Sequence, residues 1–173
     1  MVKKITLAML TLVCSVSPVF SQDWSETLET YDCLKVEKFF VDRDDYSTKE
    51  MERAGMIPEE ALDHLQHRII GEVSRNHLVP KVSKDECSGK TLILGGQVTD
   101  FKKGSRSARM WIGFGAGKQK FQVQCFLKDA ETGEVLARKE IIDRKVGGWA
   151  GGDEGKGESD FAEKVAKFVK KGK

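Results

Sequence analysis

Proline is scarce in this chain, three residues in 173, and so is histidine, whose three copies all lie between positions 64 and 77. The first shortage excludes collagen-like and proline-rich architectures. The second leaves few candidates for general acid–base work or for zinc ligation. An excess of charge of one sign is missing as well: 29 Lys+Arg face 27 Asp+Glu. A chain so balanced lacks the basic footprint that nucleic acid requires. No apolar run reaches the ~18 residues of a membrane-spanning helix. Apolar residues nonetheless make up 39% of the chain, too many for a disordered one. The length suits a single domain.

The N-terminus carries an address. Met1-Val-Lys-Lys is followed by the apolar stretch Ile5–Val16 and by Ser17-Pro-Val-Phe-Ser21. A positive end, a short apolar core and small residues at the exit predict a secretory signal over residues 1–21, cut before Gln22. Lipidation at Cys14 would want a small residue just before it, and Val13 is branched. The expected mature form is therefore soluble and periplasmic. Loss of Lys3 and Lys4 leaves it 27 basic and 27 acidic residues.

Export sets the terms for the cysteines. The mature chain keeps Cys33, Cys87 and Cys125, an odd number for an oxidising compartment. Cys125 shares a period-two apolar face with Phe121, Val123 and Leu127, so it reads as a buried residue. Cys33 and Cys87 stand at segment edges. They are either bonded to each other or two free thiols, and the oxidising compartment predicts the bond.

Residues 22–33 read as a flexible segment before a single α/β domain over 34–173. Leu34–Val41 predicts a first strand, and Ser47-Thr-Lys-Glu50 a capped short helix ending at Gly55. Pro58-Glu-Glu opens a longer helix whose Leu62, Leu65, Ile69 and Val73 form one apolar stripe. Val79–Val82 is a weak strand candidate. Strands are expected over Thr91–Phe101, Arg109–Ile112, Lys120–Lys128 and Glu134–Arg144, and a mobile loop over 147–157. A last helix from Ser159 puts Phe161, Val165, Phe168 and Val169 on one face. The fold class that follows is a two-layer α/β sandwich, a mostly antiparallel sheet of about five strands with two main helices on one face.

The chemistry-bearing patterns are few. Gly113-Phe-Gly-Ala-Gly-Lys118 fails as a phosphate loop, because Ile112 replaces the first glycine and Gln119 the hydroxyl residue. What it leaves is a glycine-rich bend with Arg106, Arg109 and Lys118 close by in sequence, where backbone amides could form an anion nest. His64 and His67 share a helix face without a third ligand at metal spacing, so neither a metal nor a cofactor is expected. No Gly-x-Ser-x-Gly occurs.

The segments Gly104-Ser-Arg-Ser-Ala-Arg109 and Gly113–Lys118, flanked by Gly95-Gly-Gln-Val-Thr-Asp100 and Asp129-Ala-Glu-Thr-Gly-Glu-Val135, resemble the bacterial domain-of-unknown-function family 4410. The resemblance runs over roughly residues 34–170 and is densest over 92–136. It implies an exported envelope protein with no established activity. Together these readings predict a non-catalytic binding or assembly module with an envelope protein partner, and no nucleic acid. Arg106, Arg109, Gly113, Gly115, Gly117 and Lys118 are the candidate contact residues. The alternative is a small anion-binding or ligand-binding protein, or an enzyme, using the same bend.

Overall fold

The computed structural model describes residues 23–102, 120–144 and 156–173. The expected signal at 1–21, the strand at Arg109–Ile112 and residues 147–155 of the expected loop lie outside them, while the last two residues of that loop, 156 and 157, are helical. Four helices and five strands occupy the described residues: α1 (Trp24–Glu29), β1 (Cys33–Val36), α2 (Lys49–Ala54), α3 (Glu59–Arg75), β2 (Lys81–Ser83), β3 (Thr91–Lys102), β4 (Lys120–Asp129), β5 (Val135–Asp143) and α4 (Lys156–Lys171). The strands form one open sheet in the order β2-β1-β3-β4-β5.

The sheet is mixed. β3, β4 and β5 form an antiparallel meander, whereas β1 runs parallel to both β2 and β3. The reason is the long crossover: from β1 the chain passes through α2 and α3 before it returns as β2, and such a connection delivers a parallel strand. Because β2 and β3 flank β1 and point the same way, the short connection between them, residues 84–90, has to cross β1. There Cys87 is bonded to Cys33, and Glu86 pairs with Lys35.

One face of the sheet holds the core. Leu34 and Val36 of β1 pair with Leu92 and Leu94 of β3, which in turn oppose Asp129 and Leu127 of β4. The α3 stripe Leu62, Leu65, Ile69 and Val73 is buried throughout, as are Phe161, Val165, Phe168 and Val169 of α4. Each fully buried residue of this size contributes about 1.5–3 kcal/mol. Phe161 packs edge-on against both Phe39 and Phe121.

Four local expectations need correction. Thr48, not Ser47, caps α2, accepting a hydrogen bond from the Met51 amide. The first strand ends at Val36, and only Phe40 rejoins the sheet, beside Gln97. α4 begins at Lys156 rather than near Ser159. The stretch 22–33, expected to be flexible, contains α1: Asp23 caps it, Leu28 and Tyr31 are buried, and Trp24 Nε1 donates to the Val169 carbonyl at 2.7 Å. Those three anchors (one indole, one Leu and one Tyr) are spread through polar sequence and leave no periodic signal.

Candidate functional site

Arg106, Arg109, Gly113, Gly115, Gly117 and Lys118 all lie outside the described residues. The structure does place the root of their segment, where Lys102 at the end of β3 pairs with Lys120 at the start of β4. Close to that root is Asp100, fully buried. Arg53 of α2 grips it with two nitrogens, Nε at 2.9 Å and an Nη at 3.0 Å, and Lys120 Nζ reaches it at 2.9 Å. Burial pushes the Asp100 carboxyl up, but the hydrogen bonds from Arg53 and Lys120 outweigh it and hold the group below the ordinary carboxylate range. Lys120 is thus already committed to a carboxylate.

Other buried polar groups are equally occupied. Asp129 accepts from the Glu131 and Thr132 amides and from the Tyr31 hydroxyl at 2.8 Å. The Thr132 amide bond does most to lower its pKa, followed by the Tyr31 contact, while burial raises that of Tyr31. Asp143 takes Lys164 at 2.8 Å. Burial drives the Cys125 thiol well above its usual range, so it is no thiolate nucleophile. His64 and His67 lie exposed on α3. Cys33 and Cys87 are joined in a disulfide, which decides between the two readings of the sequence.

Attention therefore moves to the face of the sheet that no helix among the described residues covers. Alternation along β3, β4 and β5 puts Gln97, Gln124, Phe126 and Arg138 there, with Phe40 beside Gln97 at the β3 edge. With Lys128 and Val135 they line a shallow concavity of about 360 Å³. The far end of the Phe126 ring sits over Gly95: a Cβ at position 95 would come within 2.4 Å of its Cζ. Phe40 is 52% exposed. Glu140 accepts hydrogen bonds from both Gln122 and Gln124, so its charge is partly satisfied within the face. Sequence reasoning missed these residues because they are the outward-facing half of an alternation whose inward, apolar half announced the core. That complementary half was the available signal.

The sequence profile described as "Domain of unknown function (DUF4410)" matches residues 30–151, well over half of the chain. The chain belongs to the DUF4410 family. Among proteins of curated function none matches it. The PelC dodecamer of Paraburkholderia phytofirmans superposes on this DUF4410 chain with a TM-score of 0.47 at 13% identity, covering 83% of this chain and 88% of that one. Protein XCC0632 of Xanthomonas campestris gives a TM-score of 0.47 at 10% identity, covering 83% and 85%. Likeness at that level carries no argument about assembly or role. No helix among the described residues is long and apolar enough to cross a membrane.

Proposed function

We propose that this DUF4410 protein is an exported, periplasmic envelope protein that acts by binding an envelope partner rather than by catalysis. The observation that carries the binding half is the face of β3–β5 that no helix among the described residues covers, where Phe126 and exposed Phe40 stand beside Lys128 and Arg138. A sheet face of this kind offers apolar contact ringed by polar groups, the usual anatomy of an interface. The Cys33–Cys87 bond supports export, since structural disulfides persist in oxidising compartments. The fixed partners of Asp100, Asp129 and Asp143 favour a structural role for each, which leaves little for acid–base chemistry. The competing anion site at the Gly113–Lys118 bend keeps Arg106, Arg109 and Lys118 as its cations, with Lys120 spent on Asp100.

The test is a Phe40→Ser/Arg138→Glu double variant in the periplasm, cross-linked alongside the wild type. Partners captured by the wild type and lost from a variant of unchanged melting temperature support this face. Loss from an Arg106→Ala/Arg109→Ala variant, with Phe40→Ser/Arg138→Glu unaffected, would move the site to the bend. Intact mass of the exported wild type should begin at Gln22.

A further inference from the structure

A second surface lies between α4 and the edge of β5 that no strand pairs among the described residues. Residues 164–173 hold five lysines and no acidic residue, whereas the rest of the chain has 24 Lys+Arg against 27 Asp+Glu. The fold turns part of that run into a groove. Lys164, Lys167 and Lys171 follow one another along α4, Lys139 faces them from β5, and Ile141 and Ile142 form the apolar part of the lining, around about 320 Å³. Glu140 is the one acidic residue of the lining.

Lys164 is committed, its Nζ lying 2.8 Å from Asp143 and 2.9 Å from the Ile142 carbonyl. The others hold their charge more loosely. Lys139 donates to a main-chain oxygen of Lys173 at 2.9 Å, a contact whose two residues are both exposed to water. Lys167 faces Glu163 at 3.6 Å with both side chains more than half exposed, a pairing that water weakens. Lys171 has no carboxylate partner among the described residues. Two structural roles compete for these lysines. Lysine on an edge strand discourages pairing with another chain, and lysine in the last turn complements the helix dipole. Neither role calls for cations converging from a strand and a helix on one concavity with an apolar strip.

We infer that this groove binds the phosphoryl headgroup of an anionic amphiphile, the lysines meeting the charge and the isoleucine strip of the lining the apolar body beside it. The full mature chain should float with vesicles of phosphatidylglycerol in phosphatidylcholine at low salt and not with phosphatidylcholine alone. A Lys139→Gln/Lys171→Gln variant, which leaves Lys164–Asp143 intact, should lose about thirty-fold in partitioning. Lys139→Arg/Lys171→Arg should keep it, and so should the control pair Lys49→Gln/Lys84→Gln, two exposed lysines elsewhere. Equal loss in the control pair would overturn the inference by reducing it to net charge. Saturable binding of glycerol phosphate without vesicle flotation would overturn the amphiphile and leave a soluble phosphate site. Unchanged flotation with new self-association of the Gln variant would overturn it in favour of edge protection. The Arg variant guards against a Gln pair that merely fails to fold.

Discussion

A buried carboxylate flanked by two cations makes Asp100 the residue on which the local electrostatics turn. Its folded-state pKa lies below the unfolded value, so the stabilisation is fully present above about pH 4 and fades as pH falls through the lower folded value. The unfolding midpoint should therefore drop between roughly pH 5 and 2, and Asp129, also depressed, contributes in the same direction. Asp100→Asn should flatten part of that slope. It should also cost about 2 kcal/mol at neutral pH, less than the roughly 3–5 of a fully enclosed pair, because the Arg53 and Lys120 side chains keep 31% and 28% exposure and can turn to water. Urea titrations of wild type and variant at pH 7 and pH 3 check both halves. Equal pH slopes in the two proteins would assign the acid sensitivity elsewhere. Nothing in the sequence pointed to this site, since an aspartate in a strand is ordinary until a helix 47 residues away supplies its arginine.

At the scale of elements, β3 shows what adjacent glycines do. Gly95 and Gly96 face opposite sides of the sheet, and each lies under a ring, Phe126 outside and Phe39 within. Alanine at 95 would meet only the far end of a mobile ring. Alanine at 96 would come within 2.8 Å of Val123 Cγ1 and 3.2 Å of the Gln124 carbonyl, neither of which can step aside. Gly96→Ala should thus destabilise by about 1–3 kcal/mol, and clearly more than Gly95→Ala, in thermal melts of the two variants; the reverse order would mean that the outer ring is the tighter one. The strands and main helices were legible because their apolar spacing is regular: the Leu62–Val73 stripe and the Phe121–Leu127 alternation needed no tertiary knowledge. Strand direction was not legible. Leu34 and Val36 look alike in a parallel or an antiparallel pair, and only the crossover through α3 makes β1 parallel to its neighbours. The face that no described helix covers was legible only as the remainder of the core pattern, and Phe40 joins it through a single bridge that no local signal marks.

For the molecule as a whole, two long-range ties close the fold, and the sequence foresaw one of them. The Cys33–Cys87 bond pins the 84–90 crossing to β1 over a separation of 54 residues. Removing it by Cys33→Ala/Cys87→Ala should cost about 4 kcal/mol in the chain-entropy account. Thiol titration of denatured, unreduced mature protein should find Cys125 alone. The other tie joins α1 to the C-terminal end of α4. Trp24 donates to Val169, and its indole covers Gly172, where a Cβ would come within 2.4 Å of Cδ2 and where φ is +65°. Glycine suits position 172 twice over, by conformation and by contact. Because α4 supplies Phe161, Val165, Phe168 and Val169 to the core, loosening its last turn should be felt throughout the fold. Trp24→Ala should then lower the melting temperature by several degrees, matching a loss of about 2 kcal/mol for the buried part of the indole and its hydrogen bond. Gly172→Ala should act in the same direction, because it strains φ and displaces the ring. The two losses should not add, since each breaks the same contact. Melting of the single and double variants decides the point. Additive losses would mean that Trp24 and Gly172 stabilise the chain separately, and α1 would then be a local cap rather than the clasp that holds α4 in place.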